Sequence, residues 1–335
     1  MSETSFDFTP PEISVLMCCY NASYWMRDAI DSVLEQTFEN FELILVDDGS
    51  TDDTWDVIQS YCERDNRIVA ISKKNTGLTD SLNVGIAHAK GTWVARLDAD
   101  DLCKPTRLEE QLGYLRSHPE VVLLGSGCIE IDEHGSVVKE HLLPSEHRDL
   151  MLHLERMRQF FSHSSAMFKR EVVQQAGCYN VRFRKTQDWD LWLRLAECGR
   201  IACLDNALVL IRKHSAQISN SASGTPQLMY GIAASTCHFL RLGGSDDPSS
   251  DEDVWQGFMA WCEKRMEEDG ILERRRVWIA ARADFFALES RINGAFRFGM
   301  RLLQSGHASS LLQEKFFGCS LPKRLANEWV VQANR

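Results

Sequence analysis

Short apolar runs alternate with amphipathic stretches through the first hundred residues. Ile13–Cys19 and Phe41–Val46 read as strands buried on both faces, and Arg67–Ser72 and Thr92–Leu97 as two more. Between the first two, Tyr24–Gln36 carries apolar residues at Trp25, Met26, Ala29, Ile30, Val33 and Leu34, the spacing of one helix face. Trp55–Tyr61 follows a loop of Asp, Gly, Ser and Thr suited to capping a helix. Thr79–Ala89 places Leu82, Ile86 and Ala89 on one face of another. Strands and helices in strict alternation imply a parallel sheet with helices on both sides. In such sheets ligands bind at the carboxyl ends of the strands. The loops after Cys19, at Asp47–Thr51 and at Asp98–Asp101 therefore converge.

Beyond residue 100 the pattern predicts a helix over Pro105–Ser117, with proline in its first turn. Val121–Leu124 and Cys128–Ile131 read as two strands, the second closing a hairpin at Asp132–Gly135. Glu146–Phe160 reads as a helix, Ser164–Phe168 as a strand and Arg170–Gln175 as a short helix. Asp188–Cys198 is a strongly amphipathic helix, and Ala207–Ile211 a final strand followed by His214. The Ser/Gly/Pro-rich stretch near 219–226 marks a domain boundary, and Gly243–Asp253 a long polar loop. The rest reads as helical, with apolar residues from Ile271 to Leu303 at helix-hairpin spacing. The domains expected are a leader over 1–11, an α/β domain over 12–220 and a helical C-terminal region over 226–335.

Composition narrows the class. Of 335 residues, 44% are hydrophobic and 25% charged, the profile of a globular chain. The net charge of −11 argues against a nucleic-acid partner. No apolar run is long enough to span a membrane, and the polar N-terminus lacks the apolar core of a signal peptide. Eleven scattered cysteines, without zinc spacing, fit a reduced intracellular chain. The last 66 residues are basic, with Arg274-Arg275-Arg276, Arg291, Arg297 and Arg301. A solvated helix surface explains them, as does contact with anionic lipid headgroups.

The densest chemistry lies at Val94–Asp101, where a strand ends in three carboxylates within four residues. Like charges this close need a positive partner, and a divalent cation takes carboxylate oxygens readily. Asp98 and Asp100 alternate, so on an extended strand end both face one side. The alternative is a solvated turn capping the helix at Pro105. Asp47-Asp48-Gly49-Ser50 follows the second strand; its carboxylates suit either a helix cap or the imide N–H of a uracil ring. Asp188, at a helix start, suits a cap or a general base. His163 and His214 are lone histidines that follow or precede strands. Arg96 and Lys73 can offset the carboxylates or touch phosphate.

Five segments occur in order: Val15-Leu-Met-Cys-Cys-Tyr20-Asn21, Val46-Asp-Asp-Gly-Ser-Thr-Asp52, Asn75-Thr-Gly77-Leu78 with Leu82-Asn83, Arg96-Leu-Asp-Ala-Asp-Asp101, and Gln187-Asp-Trp-Asp-Leu-Trp-Leu193. Together they resemble the family 2 glycosyltransferases over residues 12–215. The resemblance implies an inverting GT-A fold enzyme, Rossmann-like, with a mostly parallel sheet. It implies that Asp48 contacts the nucleotide base, with Tyr20 and Gly77 in loops bordering the nucleotide. Asp98 resembles the acid near the ribose and donor sugar, with Arg96 beside it. Asp100 resembles the metal-binding acid, and His214 the late histidine that completes the diphosphate–metal site. Asp188 resembles the catalytic base, with His163, Gln187 and Trp189 on the acceptor side. Two departures stand out. Cys19 replaces a small residue or proline, and Gln187 replaces a glutamate before the base.

The expected function is metal-dependent transfer, with Mn²⁺ or Mg²⁺, from a nucleotide-sugar donor, UDP-linked. The acceptor expected is a hydroxyl of a glycan or lipid-linked oligosaccharide in cell-surface polysaccharide synthesis. The expected location is the cytoplasm, with the basic tail suited to the cytoplasmic membrane face. Two other readings fit parts of the pattern. One is an Asp-x-Asp phosphotransferase or phosphatase, although that class carries its acids after the first strand. The other is an inactive nucleotide-sugar-binding module, motivated by Gln187. Donor sugar, linkage and oligomeric state are not legible in the sequence.

Overall fold

The structure is a computed structural model that describes residues 10–158, 160–214, 217, 225–273 and 321–333. Residues 1–9 of the expected leader, residues 219–224 of the expected boundary, and the apolar and arginine-rich repeat across 274–320 lie outside these.

The alternation read from the sequence is present. β1 (Ile13–Cys19), α1 (Met26–Leu34), β2 (Phe41–Asp47), α2 (Thr54–Cys62), β3 (Ile68–Ser72), α3 (Leu78–His88) and β4 (Trp93–Arg96) follow one another. β3, β2, β1 and β4 are neighbours in that order, and all pair in parallel. Side-chain alternation explains the two covered faces. Ile13, Val15 and Met17 join Leu43 and Leu45 against Met26, Ile30 and Val33 of α1 and Ile58 of α2. Leu16 points the other way, onto α3 at Gly85, where an added Cβ would meet it at 2.1 Å. Each such fully buried aliphatic side chain contributes about 1.5–3 kcal/mol.

The second half of the sheet is mixed. After β5 (Leu102–Cys103) and α4 (Arg107–Ser117) come β6 (Val121–Ile131), β7 (Val137–His141), α5 (His147–Glu155), a 3₁₀ turn (His163–Ser165), β8 (Met167–Lys169), α6 (Arg170–Gln175), α7 (Gln187–Cys198) and β9 (Arg200–Arg212). The sheet continues β4-β8-β6-β9-β5, and β7 pairs with β6. β8 runs antiparallel to both β4 and β6, β6 and β9 pair in parallel, and β5 is antiparallel to β9.

Two strand readings are corrected here. Val121–Leu124 and Cys128–Ile131 are one strand, because Gly125-Ser126-Gly127 continues the ladder with β9 through register shifts. The glycines serve close approach rather than a turn: a Cβ at Gly125 would lie 2.3 Å from the Phe161 ring. The last strand begins at Arg200, not Ala207: Arg200–Leu204 already pair with β6, and the polar Asp205-Asn206 step is a bulge between Leu204 and Ala207. The 243–253 loop also contains a 3₁₀ turn at Pro248–Ser250.

The chain divides into two compact units. The first takes residues 1–150, 160–181 and 194–215, and contains the whole sheet. The second takes 151–159, 182–193 and 216–335. The linear domain boundary is therefore interrupted: two segments expected within the α/β domain group with the C-terminal helices. In the second unit α8 (Thr225–Leu242), α9 (Glu252–Glu268) and α10 (Leu321–Ala333) enclose Ile232, Met266, Ile271, Leu272, Leu321 and Leu325. Arg265–Glu328 and Arg324–Asp269 ion pairs tie α10 to the α9 end.

Gly91 lies where β4 starts beside β1, and a Cβ there would stand 2.5 Å from Ser14 N. Gly91→Ala should lower the urea midpoint, at a cost of about 1–3 kcal/mol. Gly113, inside α4, has nothing within 4 Å of an added Cβ. Gly113→Ala should instead stabilise by about 0.5–1 kcal/mol in the same titration.

Candidate active site

In the order β3-β2-β1-β4 the chain travels one way across the sheet and then returns to the far side of β1. The crevice at that reversal, between the carboxyl ends of β1 and β4, is where such sheets bind ligands. Tyr20 and Asn21 leave β1 there, and Asp98–Asp101 leave β4.

The acidic stretch is a turn rather than an extended end. Asp101 N–H donates to Asp98 O at 3.2 Å, so Asp98 and Asp100 engage different partners. Arg96 ion-pairs with Asp98. Ser164 Oγ lies 2.9 Å from Asp98 Oδ2 and 2.5 Å from Asp101 Oδ2, and accepts the Asp98 N–H at 3.1 Å. His214 Nε2 stands 2.9 Å from Asp100 Oδ2. Arg212 donates its backbone N–H to Asp101 Oδ1 at 2.9 Å and its Nε–H to Asp100 O at 3.2 Å. Trp25, at the start of α1, carries the Arg212 guanidinium 4.4 Å over its ring and the His214 ring at 5.5 Å.

These contacts sort the three acids. Burial opposes ionisation of Asp98, but Arg96 leads the groups that outweigh it and hold the carboxyl below the usual range. Burial and the Asp98 charge raise Asp100, with His214 opposing. Burial, then the charges of Asp98 and Asp100, push Asp101 well above the usual range. One hydroxyl proton on Ser164 cannot serve both carboxylates at hydrogen-bond distance. A second proton in that cluster is favoured on Asp101 over Asp98.

Arg96, expected to border the donor, is fully buried. Its guanidinium donates to Asp98, Leu97 O and, at 3.4 Å, Leu16 O. It acts from beneath Asp98 instead of presenting a surface to a ligand.

Asp48 is a hub. It accepts from Lys73 Nζ at 2.5 Å, Thr76 N at 3.0 Å and Gly77 N at 2.9 Å. Burial would raise its pKa, but Lys73 and the backbone donors hold it lower. Lys73 therefore offsets Asp48 and does not project toward phosphate. Gly49 takes φ +70°, and a Cβ there would lie 2.7 Å from Asn75 N, so only glycine lets the two loops meet. Tyr20 is half exposed at 53%. Asn21 Oδ1 accepts Thr51 N–H at 2.8 Å, joining the first two loops. Gly77, at φ +97°, opens α3.

His163 Nε2 lies 2.7 Å from Tyr179 Oη. Burial, then the Arg96 charge, push its imidazole down to about 3, so it is neutral at physiological pH. Gln187, Asp188 and Trp189 begin α7 in the second unit. Asp188 Oδ1 accepts the Trp189 N–H at 2.9 Å, and Trp189 Nε1–H donates to Leu154 O at 3.1 Å.

Among the described residues no group of three or more His, Cys, Asp or Glu side chains could hold a metal ion unaided. Asp100 and His214 nonetheless bring a carboxylate oxygen and an imidazole nitrogen together. Two protein ligands suit Mg²⁺ or Mn²⁺, which keep waters and take phosphate oxygens from a substrate. Ser164, Arg212 and Trp25 escaped the sequence reading. Ser164 stands in a polar run without periodicity, and only the β4–β8 pairing brings it to the acids. Arg212 is two residues before His214, and that spacing was its one available signal.

A sequence model described as Glycosyl transferase family 2 matches residues 14–177. The amylovoran biosynthesis glycosyltransferase AmsE of Erwinia amylovora is 34% identical over 212 residues, covering 62% of this chain and 78% of that one. The O-antigen biosynthesis glycosyltransferase WbnJ of Escherichia coli is 32% identical over 216 residues, covering 63% and 83%. Among solved structures, S. aureus TarS 1-349 in complex with UDP-GlcNAc superposes with a TM-score of 0.56 at 17% identity, over 74% of this chain and 70% of that one. The mannosyltransferase PcManGT from Pyrobaculum calidifontis, in complex with GDP-Man and Mn²⁺, gives 0.54 at 16% identity, over 95% and 88%. Both structural likenesses concern the fold.

Asp101→Asn replaces a buried carboxyl whose neutral form burial favours with an amide that keeps both contacts. A raised carboxyl pKa in the folded state costs stability as pH rises above the ordinary range near 3.8. Without metal, the melting temperature of Asp101→Asn should therefore gain on wild type as pH rises from about 4 towards 7. Asp101→Ala should lose about 1–3 kcal/mol by stranding the Arg212 N–H, while the Ser164 hydroxyl keeps Asp98. Thermal melts across pH check both.

Proposed function

The chain belongs to glycosyl transferase family 2 and has the GT-A fold, and we propose that it moves a sugar from a nucleotide-sugar donor to a hydroxyl of a glycan or lipid-linked acceptor, with inversion. The observation that carries the reading is the meeting of Asp100 and His214 at 2.9 Å beside the β1/β4 crevice. The printed names of AmsE and WbnJ support cell-surface polysaccharide synthesis as the setting. UDP-GlcNAc in TarS and GDP-Man with Mn²⁺ in PcManGT support a nucleotide sugar and a divalent cation as ligands. We favour a UDP-linked donor.

In this reading Asp100 and His214 hold the cation, Asp98 meets the ribose and donor sugar, and Asp48 meets the base with Tyr20 and Gly77 beside it. A bound Mn²⁺ or Mg²⁺ supplies positive charge to the leaving diphosphate. Asp188 accepts the acceptor hydroxyl proton as the new C–O bond forms at the anomeric carbon. The bond from that carbon to the phosphate oxygen breaks, and the nucleoside diphosphate leaves with its electron pair. One displacement inverts the anomeric centre and needs no carboxylate nucleophile. His163, Gln187 and Trp189 belong to the acceptor side. A glutamine before the base removes one negative charge near it. No helix among the described residues is long and apolar enough to cross a membrane. Our reading places the enzyme at the cytoplasmic membrane face.

The phosphotransferase alternative falls with the family assignment, and the Asp-x-Asp pair follows the fourth strand, not the first. The inactive-module alternative is separated by turnover.

Nucleotide sugars with Mn²⁺ should raise the melting temperature, since a ligand at 100 times its Kd adds about 2.7 kcal/mol. Asp100→Ala should abolish the Mn²⁺-dependent part of that rise. Full metal-dependent stabilisation in that variant would sink the cation assignment. Asp188→Asn should keep donor binding and lose about 10²–10⁴-fold in kcat. Near-normal turnover would reassign the base.

A further inference from the structure

Arg107 is a fully buried guanidinium that the proposed chemistry does not use. Its Nη2 donates to Arg96 O at 2.9 Å and to Ala166 O at 3.2 Å. Its Nε donates to Gln111 Oε1 at 3.0 Å, and its Nη1 to Cys103 Sγ at 3.2 Å. Among the described residues no carboxylate ion-pairs with it. A buried charge with only neutral acceptors is costly, and an apolar side chain of similar volume would pack the same space without that cost. Some other demand keeps it there.

The two carbonyls identify that demand. Arg96 O belongs to the peptide that leads into Leu97 and Asp98. Ala166 O ends the 3₁₀ turn that carries Ser164, and it also accepts the Arg96 N–H at 2.9 Å. One nitrogen thus grips both backbones that present the Asp98–Ser164–Asp101 cluster. Gln111, one helical turn along α4, extends the grip by donating to Ser165 O at 2.8 Å. α4 is itself fixed at its start, where Gln36 Oε1 accepts the Leu108 N–H at 3.0 Å.

We propose that Arg107, seconded by Gln111, is a positioning residue that sets the backbone of the acid turn and so the approach of its carboxylates to a metal-bound nucleotide diphosphate. The proposal rests on the reading of that turn as the cation and donor site.

The test is calorimetric binding of UDP and, in parallel, GDP, each with and without Mn²⁺. It compares wild type with Arg107→Met, Arg107→Lys and Gln111→Leu, all confirmed folded by circular dichroism well below their melting temperatures. Arg107→Met should weaken Mn²⁺-dependent nucleotide binding by about 10-fold or more, the usual effect of removing a partner behind a ligand. Metal-free binding should stay within about twofold, and Arg107→Lys should recover part of the loss. If Arg107→Met does not fold, Gln111→Leu should show the same metal-specific weakening. Folded variants with wild-type Mn²⁺-dependent affinity would overturn the positioning role. Equal weakening with and without Mn²⁺ would do so too. Absence of Mn²⁺-dependent binding of either nucleotide to wild type would instead overturn the underlying site reading.

Discussion

Three carboxylates within four residues at the end of β4 impose the constraint around which the first unit is arranged. At 4 Å and a dielectric near 20, two such charges repel by about 4 kcal/mol. Each acid meets a different answer. Asp98 has Arg96 from its own strand. Asp100 has His214 from the end of β9. Asp101 is pushed towards its neutral form and shares contacts with Ser164 and the Arg212 backbone. The answers to Asp100 and Asp101 come from elements distant in sequence, and the mixed half of the sheet is what gathers them. Antiparallel β8 delivers the serine turn to β4. The long β9, paired along β6, delivers Arg212 and His214.

The parallel half does a different job. Its three loops are bonded to one another, through Asp48 N to Cys19 O, Asn21 to Thr51, and Asp48 to the backbone of Thr76 and Gly77. That network orders the floor on which the proposed nucleotide sits before any ligand arrives, and preordering lowers the entropy lost on binding. Asp48 spends much of its hydrogen-bonding capacity on this loop network, so holding the loop and reading the base are compatible tasks for it only through its remaining lone pairs. The proposed base, Asp188, begins a helix in the second unit, where Ile232, Met266, Leu321 and Leu325 belong to one buried cluster.

Family membership and fold class follow from motifs that are short and local, and they were legible. So were the strands of the parallel half, because a strand buried on both faces must be apolar at nearly every position. Strand limits failed where sequence and pairing disagree. Gly125-Ser126-Gly127 looks like a break, yet a neighbouring ring and a facing strand require small residues there. Asp205-Asn206 looks like a break, yet it is a bulge beyond which the strand resumes its pairing with β6 at Ala207.

By itself the sequence determined which residues are charged, which runs are apolar, and that three acids must crowd one strand end. Those are local properties, set by composition and period. Tertiary structure alone decided the contacts that complete the site: Ser164 between Asp98 and Asp101, Arg212 on the Asp100 carbonyl, and Arg107 behind Arg96. A buried polar group is satisfied by whatever the fold brings within 3 Å, and partners dozens of residues away leave no trace in local spacing.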